Sequence, residues 1–167
     1  GSEMCIRDRA HMPTIKVTNT AGKKLKEGTD YKIKKPSGRK NAGIYTVTIE
    51  MKGDYTGKYR KTFQIIPKGT AISGVKAKKK AFSVSWKKQA KQTSGYQIQY
   101  AVDAKFKKSV VTKNVNNTKK VKLDVTKLKA KKKYYIRVRT YKTVKMNGKS
   151  KKIYSGWSKV KAVTTKK

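Results

Sequence analysis

One stretch near the end of the chain, YYIRVRTY, carries the residues best suited to bind a ligand. Side chains alternate between the two faces of a strand, so an inward Tyr134 places Ile136, Val138 and Thr140 inward as well. The outward positions and two glutamines predicted on a neighbouring strand form one group, here called the arginine face: Tyr135, Arg137, Arg139, Tyr141, Gln97 and Gln99. Two arginines between two tyrosines have the chemistry to hold a sugar ring or a phosphate group.

Nucleophilic catalysis and zinc binding lack their usual residues. The single cysteine, Cys5, and the single histidine, His11, both lie in the opening GSEMCIRDRAHM, which looks like a cloning or read-through scar. Residues 1–12 are therefore set aside from fold prediction. Without them the chain has no Ser–His or Cys–His pair, no Cys/His metal site and no disulfide.

Carboxylates are also too scarce for most hydrolytic chemistry. A glycosidase needs two carboxylates facing one bond, and a calcium loop needs several close together. Asp30 and Asp54 sit in turn-like GTDY and GDYTG, where aspartate is favoured for structural reasons. The others after the scar are Glu27, Glu50, Asp103 and Asp124. We therefore expect no enzyme activity, no cofactor, and no catalytic or metal-binding residues.

The charge of the chain is extreme. The sequence has 46 Lys and Arg against 8 Asp and Glu, a formal net charge of +38, and residues 69–167 hold 30 of the basic residues but only two acidic ones. Most are lysines, which are hydrated point charges, so a general attraction to polyanions is favoured over readout of single bases. A merely solubilising surface without a partner is the alternative. No apolar run approaches the roughly 20 residues of a membrane span.

Strand patterns run through almost the whole chain and predict an all-β fold of two tandem modules. The first, residues 13–68, contains strand-like segments at 14–17, 31–34, 44–51 and 58–66. In the last two, Tyr45, Val47, Ile49 and Met51 share one face, as do Tyr59, Phe63 and Ile65. The module's ending, GDYTGKYRKTFQII, resembles the close of bacterial Ig-like repeats of surface proteins, which implies a small Ig-like β module.

The pattern breaks at PKGT, so residues 67–71 are predicted to be a short linker. Seven short strands follow in residues 69–167, at 72–77, 82–86, 95–102, 109–115, 120–125, 134–144 and 156–165. This number of strands in about 100 residues is typical of a β-sandwich.

Residues 69–167 resemble a fibronectin type III domain. Trp86 ends the second strand where that family has its core tryptophan, GYQIQY matches the third strand, and Leu128 precedes Tyr134 by the spacing of the family's tyrosine corner. The resemblance implies a buried Trp86 and a Tyr134 hydroxyl bonded to main chain near Leu128. Around Trp86 we expect Ile98, Tyr100, Ile136 and Val138.

A structural role for the arginine face competes with a ligand site. The segment GWS at 156–158 resembles half of the WS-box on the last strand of some fibronectin type III domains. There the tryptophan stacks between arginines, which implies that Trp157 stacks on Arg137 and Arg139. The lysine run 129–133 is expected to be a solvated turn.

Both resemblances imply a non-catalytic part of a secreted bacterial cell-surface protein. Such modules act as spacers, adhesive arms or wall-associated tails beside other domains of a longer parent chain. The expected partner is an anionic polymer such as wall teichoic acid or an acidic glycan. The alternative is a nucleic-acid-binding protein with a diffuse lysine surface, although no recognition helix, aromatic RNA-binding motif or zinc finger supports it.

Overall fold

The computed structural model describes the backbone of Met4–Ile6 and residues 14–167. Two compact units divide the chain, the first ending at Ile66 and the second beginning at Pro67. All of the regular elements in the described residues are β-strands, as the sequence patterns predict. None of the described residues form a helix of the length and apolarity that a membrane span requires.

The first unit is built around one mixed sheet. Its strands are β1 (Met4–Ile6), β2 (Tyr31–Lys34), β3 (Gly43–Met51) and β4 (Lys58–Ile65). Their order across the sheet is β1-β4-β3-β2, with β1 parallel to β4 and the other pairs antiparallel. The buried side chains Leu25, Tyr31 and Ile49 form a small apolar cluster.

Two predictions about the first unit are wrong. Residues 14–17 do not form a strand, and main-chain pairing near them is limited to the Thr18–Lys24 bridge and one bond from the Leu25 N–H to the Val17 carbonyl. In the turn between them, the Asn19 side chain accepts hydrogen bonds from the N–H groups of Ala21 and Lys23. Tyr59 was expected to share the apolar face of β4 with Phe63 and Ile65, yet it is 59% exposed. The sequence pattern, which classed Tyr59 as apolar, therefore predicted a larger core than the structure has.

Residues set aside as a scar also contribute to this sheet. Met4–Ile6 pairs with Phe63–Ile65 through main-chain groups, which pair regardless of side-chain periodicity. The rest of the scar, including His11, lies outside the described residues.

The second unit is a β-sandwich of two sheets. Its strands are β5 (Ile72–Lys78), β6 (Ala81–Trp86), β7 (Gly95–Ala101), β8 (Val111–Val115), β9 (Lys122–Val125), β10 (Lys133–Met146), β11 (Lys149–Tyr154) and β12 (Lys161–Thr164). One sheet has the order β5-β6-β9. The other has the order β11-β10-β7-β8, and β12 pairs with β10 on the same edge as β11.

The strand β11 was missed by the sequence analysis, which expected a single final strand at 156–165. The long strand β10 instead continues to Met146 and returns through Asn147–Gly148 as a hairpin. Both turn residues have positive φ, 52° and 77°, as a two-residue type I′ turn requires. The Asn-Gly pair is the local signal that could have predicted this hairpin.

The core of the second unit follows the expected alternation. Trp86 is 2% exposed and belongs to one buried cluster with Ile98, Tyr100, Ile136 and Val138. The Tyr134 hydroxyl accepts a hydrogen bond from the Lys129 N–H at 3.3 Å, one residue beyond Leu128. The corner is therefore closed by main chain as predicted.

The predicted linker is part of the second unit. The Thr140 hydroxyl donates to the Lys68 carbonyl at 2.7 Å, and the Lys87 N–H donates to the Ala71 carbonyl at 3.0 Å. The Thr70 hydroxyl donates to the Lys87 carbonyl at 2.5 Å. Because these hydrogen bonds tie residues 68–71 to the sandwich, the change of pattern at PKGT marks the start of the second unit, not a free connection.

Candidate functional site

The arginine face is formed by two paired strands, β7 and β10. Register places Arg137 opposite Gln99 and Arg139 opposite Gln97. The Gln99 Oε1 atom accepts from Nε and Nη2 of Arg137 at 3.0 and 2.7 Å, and Gln97 Oε1 accepts from the same atoms of Arg139 at 2.8 and 2.6 Å. One edge of each guanidinium is thus occupied by a neutral acceptor from within the fold.

Aromatic rings cover both faces of each guanidinium. The Arg137 Cζ atom lies 4.1 Å from the Phe106 ring centre and 4.2 Å from that of Trp157. The Arg139 Cζ atom lies 4.1 Å from the Trp157 ring centre and 3.8 Å from that of Tyr154. These five side chains, here called the arginine ladder, stack in the order Phe106, Arg137, Trp157, Arg139 and Tyr154.

Burial changes the pKa of the two arginines in the ladder. Desolvation lowers the pKa of both Arg137 and Arg139 from the ordinary arginine value. That ordinary value is so high that both groups stay charged at neutral pH. Their charge is balanced by ring quadrupoles and amide oxygens, so the arrangement stabilises two like charges at close range without a carboxylate.

Tyr141 is not available to a ligand. It is 2% exposed, and burial raises the pKa of its hydroxyl. Its ring occupies the space left by Gly95 across the register, where a Cβ atom would lie 2.7 Å from the Tyr141 hydroxyl. Its ring also meets that of Tyr154 at 6.2 Å between centres. The predicted role of Tyr141 as a ligand residue is therefore wrong, because glycine lets the core extend onto the outer face.

The other predicted face residues are only partly open. Gln97 is 6% exposed and also donates through Nε2 to Asn114. Gln99 donates to the Thr112 hydroxyl. Tyr135 is half-buried at the far end of the face, with Lys133 Nζ 5.3 Å from its ring centre. Tyr135 is therefore not one of the rings that stack on Arg137 and Arg139.

Two members of the ladder, Phe106 and Tyr154, were missed by the sequence analysis. Phe106 lies in the loop after β7 with a positive φ of 54°. The Asp103 carboxylate shapes this loop by accepting from the N–H groups of Lys107 and Lys108, which hold the pKa of Asp103 below its ordinary value. Tyr154 could have been suspected from its position three residues before Trp157.

The acidic side chains in the described part of the chain are the remaining candidates for metal binding. Residues 14–167 contain no group of three His, Cys, Asp or Glu side chains arranged to hold a metal ion. Glu50 contacts Lys34 and Lys58 at 3.0 and 3.7 Å, and Asp124 contacts Lys78 at 3.3 Å. These carboxylates act as partners of lysines.

Two solved structures and one family model are similar to this chain. The structure of chicken CNTN1 FN1-FN3 domains is 19% identical, with a TM-score of 0.51, over 76% of this chain and 44% of that one. A β-1,2-glucanase from Parabacteroides distasonis is 14% identical, with a TM-score of 0.43, over 72% of this chain and 18% of that one. The chain thus spans less than half the length of either structure, and no curated protein matches it. The fibronectin type III domain model matches residues 67–155, more than half of the sequence, so the chain belongs to the fibronectin type III family.

Proposed function

We propose that this chain is a non-catalytic module pair of a secreted bacterial cell-surface protein that associates with an anionic polymer of the cell wall. Wall teichoic acid and acidic glycans have the required chemistry, since both present repeated negative groups on a long chain. In this role the chain acts as a spacer, an adhesive arm or a wall-associating tail for other domains of its parent protein. The ending GDYTGKYRKTFQII supports an Ig-like repeat as the first module.

The observation that carries this proposal is the surplus of positive charge. With 46 Lys and Arg against 8 Asp and Glu, most cations have no acidic partner in the same chain. Asp103 is engaged with backbone N–H groups, which leaves fewer carboxylates for lysine. A positive field of this size raises the local concentration of any polyanion near the protein. It also destabilises the folded state, because its like charges repel one another.

The type of basic residue determines the kind of binding expected. The second unit has only two arginines, and the ladder engages both through stacking and glutamine oxygens. Contact with an anion therefore falls to lysines, which do not offer the forked geometry of a guanidinium. We expect weak selectivity and a steep fall of affinity with salt.

The arginine ladder supports a structural role for the arginine face. A guanidinium that is stacked on both faces has no face left for a sugar ring, and two of its five N–H donors are bonded to glutamine. The ladder instead joins β10 to Phe106 before β8, to Tyr154 at the end of β11 and to Trp157 after β11. It therefore holds an exposed side of the sandwich in a single arrangement, as a spacer under tension requires.

Nucleic-acid binding is the second candidate, favoured by the charge alone. Sequence-selective readout of DNA places a helix or a two-stranded ribbon in the major groove, with forked arginine contacts to bases. In the second unit such a mode would need arginines on an accessible element, whereas its two arginines, Arg137 and Arg139, are built into the ladder.

Binding of the full chain to wall teichoic acid, heparin and duplex DNA, at low and at physiological salt, tests the proposal. We expect binding to the two non-nucleic polymers at low salt and a steep, parallel loss of affinity as salt rises. Tyr135→Ser is the matched probe of the arginine face, because Tyr135 is half-buried whereas Tyr141 is part of the core. Salt-resistant glycan binding that Tyr135→Ser abolishes would make the face a ligand site, and tight sequence-selective DNA binding would overturn the cell-surface proposal.

A further inference from the structure

Nine exposed lysines gather at one end of the second unit. They come from three segments that are distant in sequence: the turn between β5 and β6, the segment that leads into β10, and the end of the chain. We call this group the lysine pole, and its members are Lys79, Lys80, Lys127, Lys129, Lys131, Lys132, Lys133, Lys166 and Lys167. The three segments, 79–80, 126–133 and 165–167, contain no aspartate or glutamate.

Main-chain hydrogen bonds hold the first segment against the other two. The Lys80 N–H donates to the Lys166 carbonyl at 2.9 Å, and the Lys80 carbonyl accepts from the Leu128 N–H at 2.9 Å. Lys166 in turn donates to the Lys78 carbonyl at 2.9 Å. The lysines at this end are therefore carried by a fixed framework and not by independent loops.

A buried threonine joins the remaining two segments. Thr165 is buried, and its hydroxyl donates to the Lys129 carbonyl at 2.5 Å and accepts from the Lys132 N–H at 3.0 Å. The Thr165 N–H also donates to the Lys132 carbonyl at 2.9 Å. Three bonds to one residue fix the lysine run 129–133, which was expected from the sequence to be only a solvated turn.

Three lysines of the pole occupy positions that suit other residues better. Lys80, Lys127 and Lys131 have positive φ angles of 47°, 59° and 52°, a region in which glycine and asparagine are favoured. Their charges also add to the repulsion within the pole. Lysine at these three turns thus works against both backbone preference and electrostatics, and a functional role would account for this cost.

We propose that the lysine pole is the docking surface for a flexible linear polymer that carries closely spaced phosphate or sulfate groups. This inference rests on the proposed function and adds its location and its ligand. Sheets of a sandwich are about 10 Å apart and strands about 4.8 Å apart, so the end of the sandwich is a small platform. A flexible chain can bend to meet cations from all three segments, whereas rigid duplex DNA presents only part of its phosphates to such a platform.

Charge-matched variants of the full chain test the location. The pole variant is Lys80→Asn, Lys127→Asn and Lys131→Asn, which places a residue that tolerates positive φ at each turn. The control variant is Lys88→Asn, Lys119→Asn and Lys120→Asn, which removes three exposed lysines from loops outside the pole. Both variants lose three charges, and the probes are inorganic polyphosphate and heparin of defined lengths, titrated over a range of salt.

We expect the pole variant to bind polyphosphate and heparin about tenfold or more weakly, while the control variant changes by about threefold or less. The salt slope should become shallower in the pole variant, by roughly 0.7 for each anionic group that the protein no longer neutralises. Its melting temperature should stay level or rise, because strain and repulsion are both relieved. A weaker affinity in a protein that is no less stable excludes unfolding as the cause, and a fall in melting temperature would contradict the strain on which the inference rests.

Other outcomes separate this inference from the proposed function. Equal losses in the two variants would overturn the pole as the docking surface and leave a diffuse lysine surface in place. No binding of the unmodified chain to either probe at low salt would overturn both proposals. Duplex DNA that binds more tightly than polyphosphate at the same salt, and depends on the pole, would overturn the choice of a flexible polymer.

Discussion

Two basic regions of the second unit use positive charge in opposite ways. The arginine ladder places Arg137 and Arg139 between aromatic rings and glutamine oxygens, so their charge stabilises the fold. The lysine pole leaves nine ammonium groups exposed on a hydrogen-bonded framework, so their charge is available to a partner. The difference follows from shape, because a flat guanidinium can be stacked on both faces while its edge forms hydrogen bonds, whereas an ammonium is a compact, strongly hydrated charge without flat faces.

Among the variants that test this comparison, the largest loss of stability is expected from a substitution of Tyr141. Tyr141→Ser should reduce the free energy of unfolding by about 3–5 kcal/mol, because a buried aromatic ring over Gly95 is lost. The matched variant is Tyr135→Ser on the same strand, which should cost much less because Tyr135 is half-buried. Chemical denaturation measures both, and similar small losses would mean that the outer face is not part of the core.

Trp157→Ala should give the next largest effect. The ring contacts both arginines at 4.2 and 4.1 Å, and each cation–π contact contributes roughly 0.5–2 kcal/mol, so a loss of about 1–4 kcal/mol is expected. Binding of the still-folded variant to polyphosphate should be unchanged, because the ladder does not contact the polymer. If the variant lost more free energy of polyphosphate binding than free energy of unfolding, the ladder would have to be counted as part of the binding surface.

An exchange of arginine and lysine sharpens the contrast at constant charge. Arg139→Lys removes the forked bond to the buried Gln97 oxygen and should cost about 1–3 kcal/mol in thermal or chemical unfolding. The reverse exchange in the pole, Lys132→Arg, should leave both stability and polyphosphate affinity nearly unchanged. Equal changes in stability from the two exchanges would contradict the structural role of arginine and the binding role of lysine.

The smallest effect is expected from pH. Hydrogen bonds from the Lys108 and Lys107 N–H groups lower the pKa of Asp103 in the folded state below the roughly 3.9 of an unfolded aspartate. Their stabilisation is therefore fully present above about pH 4 and lost as pH falls through the folded pKa. Asp103→Asn should be less stable than the unmodified chain at neutral pH, and the two unfolding curves should converge in acid. If the difference in stability between Asp103→Asn and the unmodified chain grew in acid, the Asp103 carboxylate would not be the stabilising group.

Alternation in the sequence was sufficient wherever burial follows the strand period. The inner face of β10 was predicted because it depends only on residues two apart. Burial of Trp86 and the Tyr134 corner were predicted from the resemblance to fibronectin type III domains. The burial of Tyr141 was not predicted, since it depends on Gly95 from another strand. Phe106 reaches Arg137 through a loop of irregular backbone, for which no period exists.

The remaining misses have similar physical causes. β11 reads KSKKIY, a lysine-rich segment whose partner, the end of β10, supplies the pairing through the Asn147–Gly148 turn. β1 was missed because residues 1–12 were set aside, and its main-chain pairing with β4 does not depend on a side-chain pattern. The lysine pole was visible only as the run 129–133, because its other members come from segments that meet through Thr165 and Lys80 in the folded chain.

The contact between β5 and the end of the chain has a mechanical consequence. Lys79 and Lys166 form a parallel bridge, and two hydrogen bonds of 2.9 Å join Lys166 to Lys78 and Lys80. Tension applied at the two ends of the second unit draws these parallel segments past each other, so that the bonds are strained together in shear instead of opening one by one. The bonds between the first and last segments of the sandwich therefore resist a force that pulls the two ends of the second unit apart.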